Sequence, residues 1–143
     1  NRGAEARELM YKIRDQLTAM AKEFGFNKKI YVEEWHKPPT ASANWVPDLI
    51  RLLGCSAIVN SGNYSSPVST EAVKKFDPDA IVLSWCGFGT KADGNQLLER
   101  DGWSELRAVQ NNNVFIIDDS FLNRPGPRIT EGLRVLKEIA SRC

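Results

Sequence analysis

The sequence predicts an α/β fold of three layers, a mostly parallel, doubly wound sheet covered by helices in a Rossmann-like lobe. Short strand-like runs alternate with helix-like segments along most of the 143 residues. The run Ala80–Leu83 is continuously apolar, which is typical of a central parallel strand buried on both faces. A single long amphipathic helix precedes this alternating part of the chain.

That first helix is predicted for residues 4–24. Apolar residues recur at steps of four and three, charged residues occupy the other side, and Gly25 ends the pattern. The apolar stripe consists of Leu9, Ile13, Leu17, Met20 and Phe24. We therefore divide the chain into a helical segment, residues 1–28, and an α/β lobe, residues 29–143.

The next part of the chain is predicted as a strand, a loop and a helix. β-type residues favour a strand at 30–33. Pro38 and Pro39 are expected to forbid both helix and ladder pairing in the loop that follows. Residues 40–43 are interpreted as a flexible small-residue segment, and Asn44 as the cap of a helix that Gly54 ends.

Residues 68–88 are predicted as a capped helix, a tight turn, the buried strand and an aromatic loop. Ser69 is the natural N-cap, and Glu71 adds negative charge to the first turn, where the helix dipole favours it. Asp77 and Pro78 end the helix. In open α/β sheets ligands bind beyond the carboxyl ends of the strands. The loop after the central strand lies there.

The last third is predicted to add a short helix at 95–100, a turn that buries Trp103 and Leu106, and a strand at 114–118. Residues 119–124 form the loop that leaves this strand, again at a carboxyl end. A final helix follows the Pro125-Gly126-Pro127 segment. Its inward residues are Ile129, Leu133, Leu136 and Ile139.

Composition excludes several functions. The formal net charge is +1, and no basic cluster follows a helix face, so nucleic acid is not an expected partner. No apolar run approaches the roughly 20 residues of a membrane helix. With one histidine and no CxxC spacing, the three cysteines do not suggest zinc. Cys55 and Cys86 could pair in an oxidising compartment, although buried free thiols are favoured.

Four motifs, taken in order, resemble the C-terminal lobe of the cobalamin-type substrate-binding proteins of ABC importers, relatives of vitamin B12 and siderophore binders. The longest is the pattern VSTEAV at 68–73 with DPDAIVLSWCGF at 77–88. The others are EEWHKPP at 33–39, WSELRAV at 103–109 and RPGPR at 124–128. Their order and spacing agree from about residue 9 to residue 140.

The resemblance implies a two-lobed binding protein of which this chain supplies the first helix, as inter-lobe spacer, and the second lobe. The missing part would hold the first lobe and the export signal. Such a protein works in the periplasm or on the outer face of the cell membrane, attached only through the permease or a lipid anchor outside this chain. It needs no cofactor, since cobalamin or another metal chelate is its transported ligand.

Six residues are predicted to meet at one rim and contact that ligand. Aromatic faces with a few polar anchors suit a large, partly apolar ligand such as a corrinoid. The predicted ligand-binding residues are Trp35, His36, Trp85, Phe88, Asp119 and Arg124. Core packing is the alternative role for the two tryptophans. By resemblance, Glu71 is the carboxylate that docks on an arginine of the permease.

Other functions remain open at this point. No GxSxG, HExxH or Walker-type motif is present, so an enzyme is not the leading interpretation. Binding of a ferric siderophore or haem is the alternative within the same class. From other classes, the chain could be a free-standing flavodoxin-like domain acting on a nucleotide or small molecule, or a module that dimerises through its first helix. Exposed apolar surface would favour self-association of an isolated lobe.

Overall fold

The computed structural model describes residues 2–21 and 25–143. Within this part of the chain the regular elements follow one another as helices, strands and short 3₁₀ turns. In chain order they are α1 (Arg2–Ala21), β1 (Lys29–His36), β2 (Pro39–Ala41), α2 (Val46–Leu52), β3 (Ser56–Ala57), β4 (Ser66–Pro67), α3 (Thr70–Phe76), β5 (Ala80–Leu83), α4 (Arg107–Gln110), β6 (Val114–Ile116) and α5 (Ile129–Arg142).

The strands form one mixed sheet in the order β4-β2-β1-β5-β6, with β3 paired to the start of β1. The pairs β1–β3, β1–β5 and β5–β6 are parallel. The pairs β1–β2 and β2–β4 are antiparallel. The predicted α/β class and its central buried strand are therefore confirmed, with an antiparallel addition at one edge.

Helices cover both faces of the sheet, as a doubly wound fold requires. Ile30 and Val32 of β1 face a core formed with α2 and α5, whereas Tyr31 faces a second core formed with α3 and α4. Alternation along the strand produces this division. All four residues of β5 are fully buried, since the strand is covered on both faces. The carboxyl ends of β1, β5 and β6 consequently meet at one edge.

The expected proline loop is instead a β-hairpin, so that prediction was wrong. β1 continues through Trp35 to His36, and β2 begins at Pro39, which pairs with His36. Proline is tolerated at the first residue of a strand, where no ladder donor is needed. The pairing slips by one residue between Glu33 and Trp35. The hairpin places two predicted ligand residues on a strand end rather than in a free loop.

Residues 40–43 are not a flexible segment, because Ala41, Ser42 and Ala43 are buried, and the Ser42 amide donates to the carbonyl of Val32 at 2.9 Å. Asn44 does not cap α2. It adopts a left-handed conformation with φ of 55°, and Trp45 occupies the cap position, where no side chain accepts a hydrogen bond from the helix amides. The small residues 41–43 therefore pack in the interior, and Asn44 forms a turn instead of a helix cap.

The predicted helix at 95–100 is only a 3₁₀ turn, Gly94–Leu97, and the strand at 114–118 ends at Ile116. In contrast, the start of α3 is as predicted. The Ser69 hydroxyl accepts a hydrogen bond from the Ala72 amide at 3.1 Å. The helix ends at Asp77, whose φ of 47° is left-handed. Trp103 and Leu106 are buried, as expected.

Helix α1 is confirmed in position, but none of its described residues is buried. Leu17 and Met20 pack on the core beside α5, whereas Leu9 is 45% exposed. Phe24, the last member of the predicted stripe, lies outside the described residues. In the described part of the chain, every helix is too short or too polar to traverse a bilayer.

Candidate functional site

Four rings meet at the carboxyl ends of β1 and β5. We call Trp35, His36, Trp85 and Phe88 the aromatic cluster. The His36 ring stacks on Trp85 with centroids 4.6 Å apart and planes at 28°. Phe88 meets Trp85 edge-on at 5.5 Å and Trp35 at 6.0 Å. Such stacked and edge-to-face arrangements are the favourable ones for aromatic pairs. The structure thus brings together four of the six predicted ligand residues.

The two tryptophans of the aromatic cluster occupy different positions. Trp35 is 40% exposed, and its Nε1 donates to the carbonyl of Lys37 at 3.1 Å, which fixes the indole across the hairpin. Trp85 is completely buried beneath the other rings. A ligand that approaches the edge of the sheet therefore has access to Trp35, while Trp85 supports the rings above it. The core role, the alternative at the sequence level, fits Trp85.

Below the aromatic cluster lies a fully buried carboxylate that the sequence analysis did not single out. Glu33 accepts two hydrogen bonds from Arg100, both of 2.7 Å, in a bidentate ion pair. It also accepts from Trp85 Nε1 at 2.9 Å and from the Tyr31 hydroxyl at 2.8 Å. We call these four residues the buried network. Burial, with the neighbouring Glu33 charge, raises the pKa of Tyr31 well above its ordinary value.

Arg100 ties this network to two further parts of the site. Its guanidinium lies over the ring of Trp103, 4.4 Å from the centroid, and donates to the carbonyl of His36 at 3.1 Å. The planar fork suits both contacts, because arginine can pair with a carboxylate and stack on an indole at once. One signal in the sequence pointed to Glu33, an acidic residue that continues an apolar strand. No sequence signal pointed to Arg100, 67 residues away.

Asp119 has a supporting position rather than an open one. Its two carboxylate oxygens accept from the amides of Gly87 and Gly89 at 3.0 and 2.9 Å. Both glycines have positive φ, which lets the loop turn its amides toward the carboxylate. Asp119 therefore holds the loop that carries Phe88. Its predicted ligand contact is untested, and both of its oxygens are already engaged.

Arg124 follows a residue that is fixed at the end of β5. The Asn123 amide donates to the carbonyl of Ser84 at 2.8 Å and contacts the Cys86 sulfur at 3.1 Å. Arg124 itself is exposed and forms no salt bridge with any residue in the described part of the chain. It is an exposed cation one residue after Asn123, and its role as a polar anchor stays a prediction.

Glu71 lies in the first turn of α3, fully accessible to solvent. A hydrogen bond from its own backbone amide, together with the Ser69 hydroxyl, lowers the pKa of its carboxyl. Nearby Lys74 is paired with Glu105 at 3.0 Å. No salt bridge engages Glu71 among residues 2–21 and 25–143. The carboxylate is therefore ionised, exposed and available to a partner.

The three cysteines are free thiols. Cys55 is buried, as expected, but Cys86 is exposed at the rim. Partial burial, with the charge of Glu34, raises the pKa of Cys86, which disfavours the reactive thiolate. In the described part of the chain, no three histidine, cysteine or acidic side chains are grouped as a metal site.

The amino-acid sequence matches a known family over most of its length. The family, described as Periplasmic binding protein, matches residues 1–121. The chain is also 41% identical over 71 residues to the uncharacterised ABC transporter substrate-binding lipoprotein YvrC of Bacillus subtilis. That match covers 50% of this chain and 21% of YvrC.

Solved structures share the fold. An ABC-type Fe³⁺-hydroxamate transport protein from Saccharomonospora viridis superimposes with a TM-score of 0.79 at 21% identity, over 96% of this chain and 50% of that one. The periplasmic vitamin B12 binding protein BtuF of Vibrio cholerae gives 0.66 at 22% identity, over 97% and 52%. The chain thus spans about half the length of these structures.

Proposed function

Because the chain belongs to the periplasmic binding protein family, we propose that it is the second lobe of an extracytoplasmic solute-binding protein that delivers its ligand to an ABC importer. The half-length match to two solved structures supports this division, with α1 as the spacer between lobes. The similar protein YvrC is named a lipoprotein, which supports a location on the outer side of the cytoplasmic membrane. A lipid anchor would then lie outside these residues. Binding rather than catalysis is the activity.

The proposed ligand is cobalamin or a related corrinoid, and the aromatic cluster is the observation that carries this choice. Trp35 is 40% exposed at the edge of the sheet, beside His36 and Phe88. Half-exposed rings offer a broad apolar surface with little loss of side-chain entropy, which suits a large, flat ligand. Buried Glu33 and Arg100 keep these rings in place below. Closure of a second lobe would sandwich the ligand.

A ferric siderophore or haem is the second candidate, and Arg124 is the observation that favours it. An exposed arginine without an ion-pair partner in the described residues suits a carboxylate or another anionic group of a chelate. The corrinoid remains the first choice because Arg124 can equally donate to amide oxygens, and because the aromatic cluster presents the exposed ring of Trp35.

The proposed partner is the permease of the importer, and Glu71 is the proposed docking residue. Its carboxylate is exposed and ionised, and the salt bridge of the nearby Lys74 is made with Glu105. An ion pair with a permease arginine would favour orientation and encounter more than raw affinity. We therefore expect Glu71→Gln to leave ligand binding unchanged but to lower transport in cells. Normal transport at equal protein abundance would remove Glu71 from the docking surface.

Equilibrium dialysis of the full-length natural protein tests the ligand. The protein is dialysed in parallel against cyanocobalamin, haemin and a ferric hydroxamate. Retention of cyanocobalamin alone is the expected result. Retention of haemin or the hydroxamate alone would keep the transport function and replace the ligand. If no ligand were retained by folded protein, the proposed binding function would be wrong.

A further inference from the structure

A pocket of about 300 Å³ lies beside the aromatic cluster. Residues 36–39 of the β1–β2 hairpin line one side, and Gln96, Glu99 and Arg100 line the other. The His36 ring belongs to both places, because it stacks on Trp85 and also lines the pocket. A ligand lying on the aromatic cluster would therefore have this pocket within reach of its periphery. We call it the side pocket.

Two residues that line the side pocket each carry a buried polar atom without a partner. These atoms, His36 Nδ1 and Gln96 Oε1, are the only buried side-chain nitrogen or oxygen atoms without a hydrogen bond in the described part of the chain. A buried polar atom without a partner is costly, because it loses its hydrogen bonds to water, so such atoms are rare in folded proteins. That both belong to one pocket indicates a site completed by another molecule.

The charges around the side pocket are balanced. Arg100 is neutralised by its bidentate pair with Glu33, and its side chain is only 14% exposed. Lys37 and Glu99 are exposed and of opposite sign. The unpartnered atoms are themselves a neutral amide oxygen and an imidazole nitrogen. A neutral group that both donates and accepts hydrogen bonds fits this environment better than a carboxylate.

We propose that the side pocket binds a primary carboxamide arm of the transported ligand, held by Gln96 and His36. This inference rests on the proposed binding function. An amide N–H would donate to Gln96 Oε1. The same amide can donate a hydrogen bond to His36 Nδ1, or accept one from it when Nδ1 carries the proton. Both protein atoms are covered in the structure, so the proposal requires the ends of these two side chains to turn toward the pocket when the arm enters.

A side pocket that binds an amide distinguishes between the candidate ligands. The rim of a corrinoid carries primary carboxamides, whereas haem carries carboxylates at the corresponding edge. A carboxylate would bring its lone pairs against those of Gln96 Oε1 in a site with no free cation other than Lys37 among the described lining residues. The side pocket therefore favours an amide-bearing ligand, and a corrinoid is the large, flat ligand of that kind.

The test uses cyanocobalamin and its separate monocarboxylates, in each of which one peripheral amide has been hydrolysed. Affinities of the full-length natural protein are measured by titration calorimetry. One isomer should bind more weakly than the others, because its carboxylate replaces the arm in the side pocket. Gln96→Leu should lower the affinity for cyanocobalamin about 3- to 10-fold, which corresponds to the loss of one hydrogen bond. It should also abolish the difference in affinity between the isomers.

Two further variants separate the site from folding. Gln110→Leu changes an exposed glutamine of α4 and should bind like the unmodified protein. His36→Phe keeps a ring for stacking on Trp85 but removes Nδ1, and should also reduce isomer discrimination. Thermal unfolding of each variant shows whether the lobe is intact. A folded Gln96→Leu protein with altered discrimination supports the amide arm.

Two results would overturn the inference while keeping the binding function. The first is unchanged affinity and isomer discrimination in folded Gln96→Leu protein, which would mean that only water meets these atoms. The second is retention of haemin or a ferric hydroxamate with no binding of cyanocobalamin. Absence of any bound ligand would instead contradict the proposed function itself.

Discussion

Two regions of the molecule differ in how firmly they are held. At the carboxyl end of β1, the Glu33 carboxylate is fully buried and accepts four hydrogen bonds, and Trp85 lies buried above it. In α1 no described residue is buried, and Met10 and Tyr11 are 68% and 56% exposed. The Glu33 side chain is held by hydrogen bonds from three different residues, whereas α1 packs on the core along one side only.

The difference indicates where the lobe keeps precise geometry. A ligand surface made of rings benefits from fixed support, because less side-chain freedom is lost on binding. The buried network supplies that support from below the aromatic cluster. Helix α1 contacts the core through Leu17 and Met20 near α5, and none of its described residues is buried. Substitutions should therefore affect stability very differently in the two regions.

The largest effect is expected for Glu33→Ala. Removal of the carboxylate leaves the Arg100 side chain, which is 14% exposed, without its ion pair. It also leaves Trp85 Nε1 and the Tyr31 hydroxyl without acceptors. Breaking a buried pair in this way costs about 3–5 kcal/mol. Urea denaturation should show this loss of unfolding free energy. The exposed Glu105, substituted by glutamine, should cost at most about 1 kcal/mol.

A loss within 1 kcal/mol for Glu33→Ala would mean that the buried network does not hold the aromatic cluster. The carboxyl end of β1 would then be no more firmly held than α1.

The second effect concerns Gly132, where α5 approaches the segment that precedes Arg124. A Cβ atom at Gly132 would lie 2.6 Å from the carbonyl oxygen of Phe121, which is backbone and must shift. Gly132→Ala should cost about 1–3 kcal/mol through overpacking. Gly126→Ala, where no atom lies within 4 Å, is the matched control. Equal melting temperatures for the two variants would contradict this close approach.

A smaller effect is expected for Ser69→Ala. The hydroxyl accepts the Ala72 amide at the start of α3, and its loss should cost about 1 kcal/mol in chemical denaturation. Ser69→Asp, another good N-cap residue, should retain stability. Indistinguishable stabilities of the alanine and aspartate variants would show that this cap contributes nothing.

The smallest effect is expected in α1. Met10 is 68% exposed, so Met10→Ser should change the free energy of unfolding by no more than about 0.5 kcal/mol. The substitution also removes apolar surface that would favour self-association, and sedimentation of the lobe can follow that change. A loss of stability above 1 kcal/mol would show that α1 is as firmly packed as the sheet.

The sequence predicted the features that depend on neighbouring residues. The buried strand β5, the Ser69 cap and the burial of Trp103 follow from local periodicity and capping. The Pro38-Pro39 hairpin was not foreseen, because pairing with β1 outweighed the local preference of proline. Their positions after predicted strands indicated that the aromatic residues would share one edge of the sheet, and the structure places them within stacking distance.

The supporting contacts could not be predicted, because they join distant parts of the chain. Glu33 and Arg100 are 67 residues apart, and Asp119 meets Gly87 and Gly89 across 32 and 30 residues. Local patterns carry no information about such pairs. For the same reason the sequence predicted Trp35 and Trp85 equally as ligand contacts. The structure distinguishes them, because Trp35 is exposed and Trp85 is buried.

The central claim is that the exposed side of the aromatic cluster binds the ligand, and Trp35→Ala in the full-length natural protein tests it most directly. Affinity for cyanocobalamin is measured by equilibrium dialysis, together with the melting temperature. We predict at least a tenfold loss of affinity with nearly unchanged melting, because an exposed ring contributes to binding and little to the core. Full affinity in the Trp35→Ala protein would contradict the account.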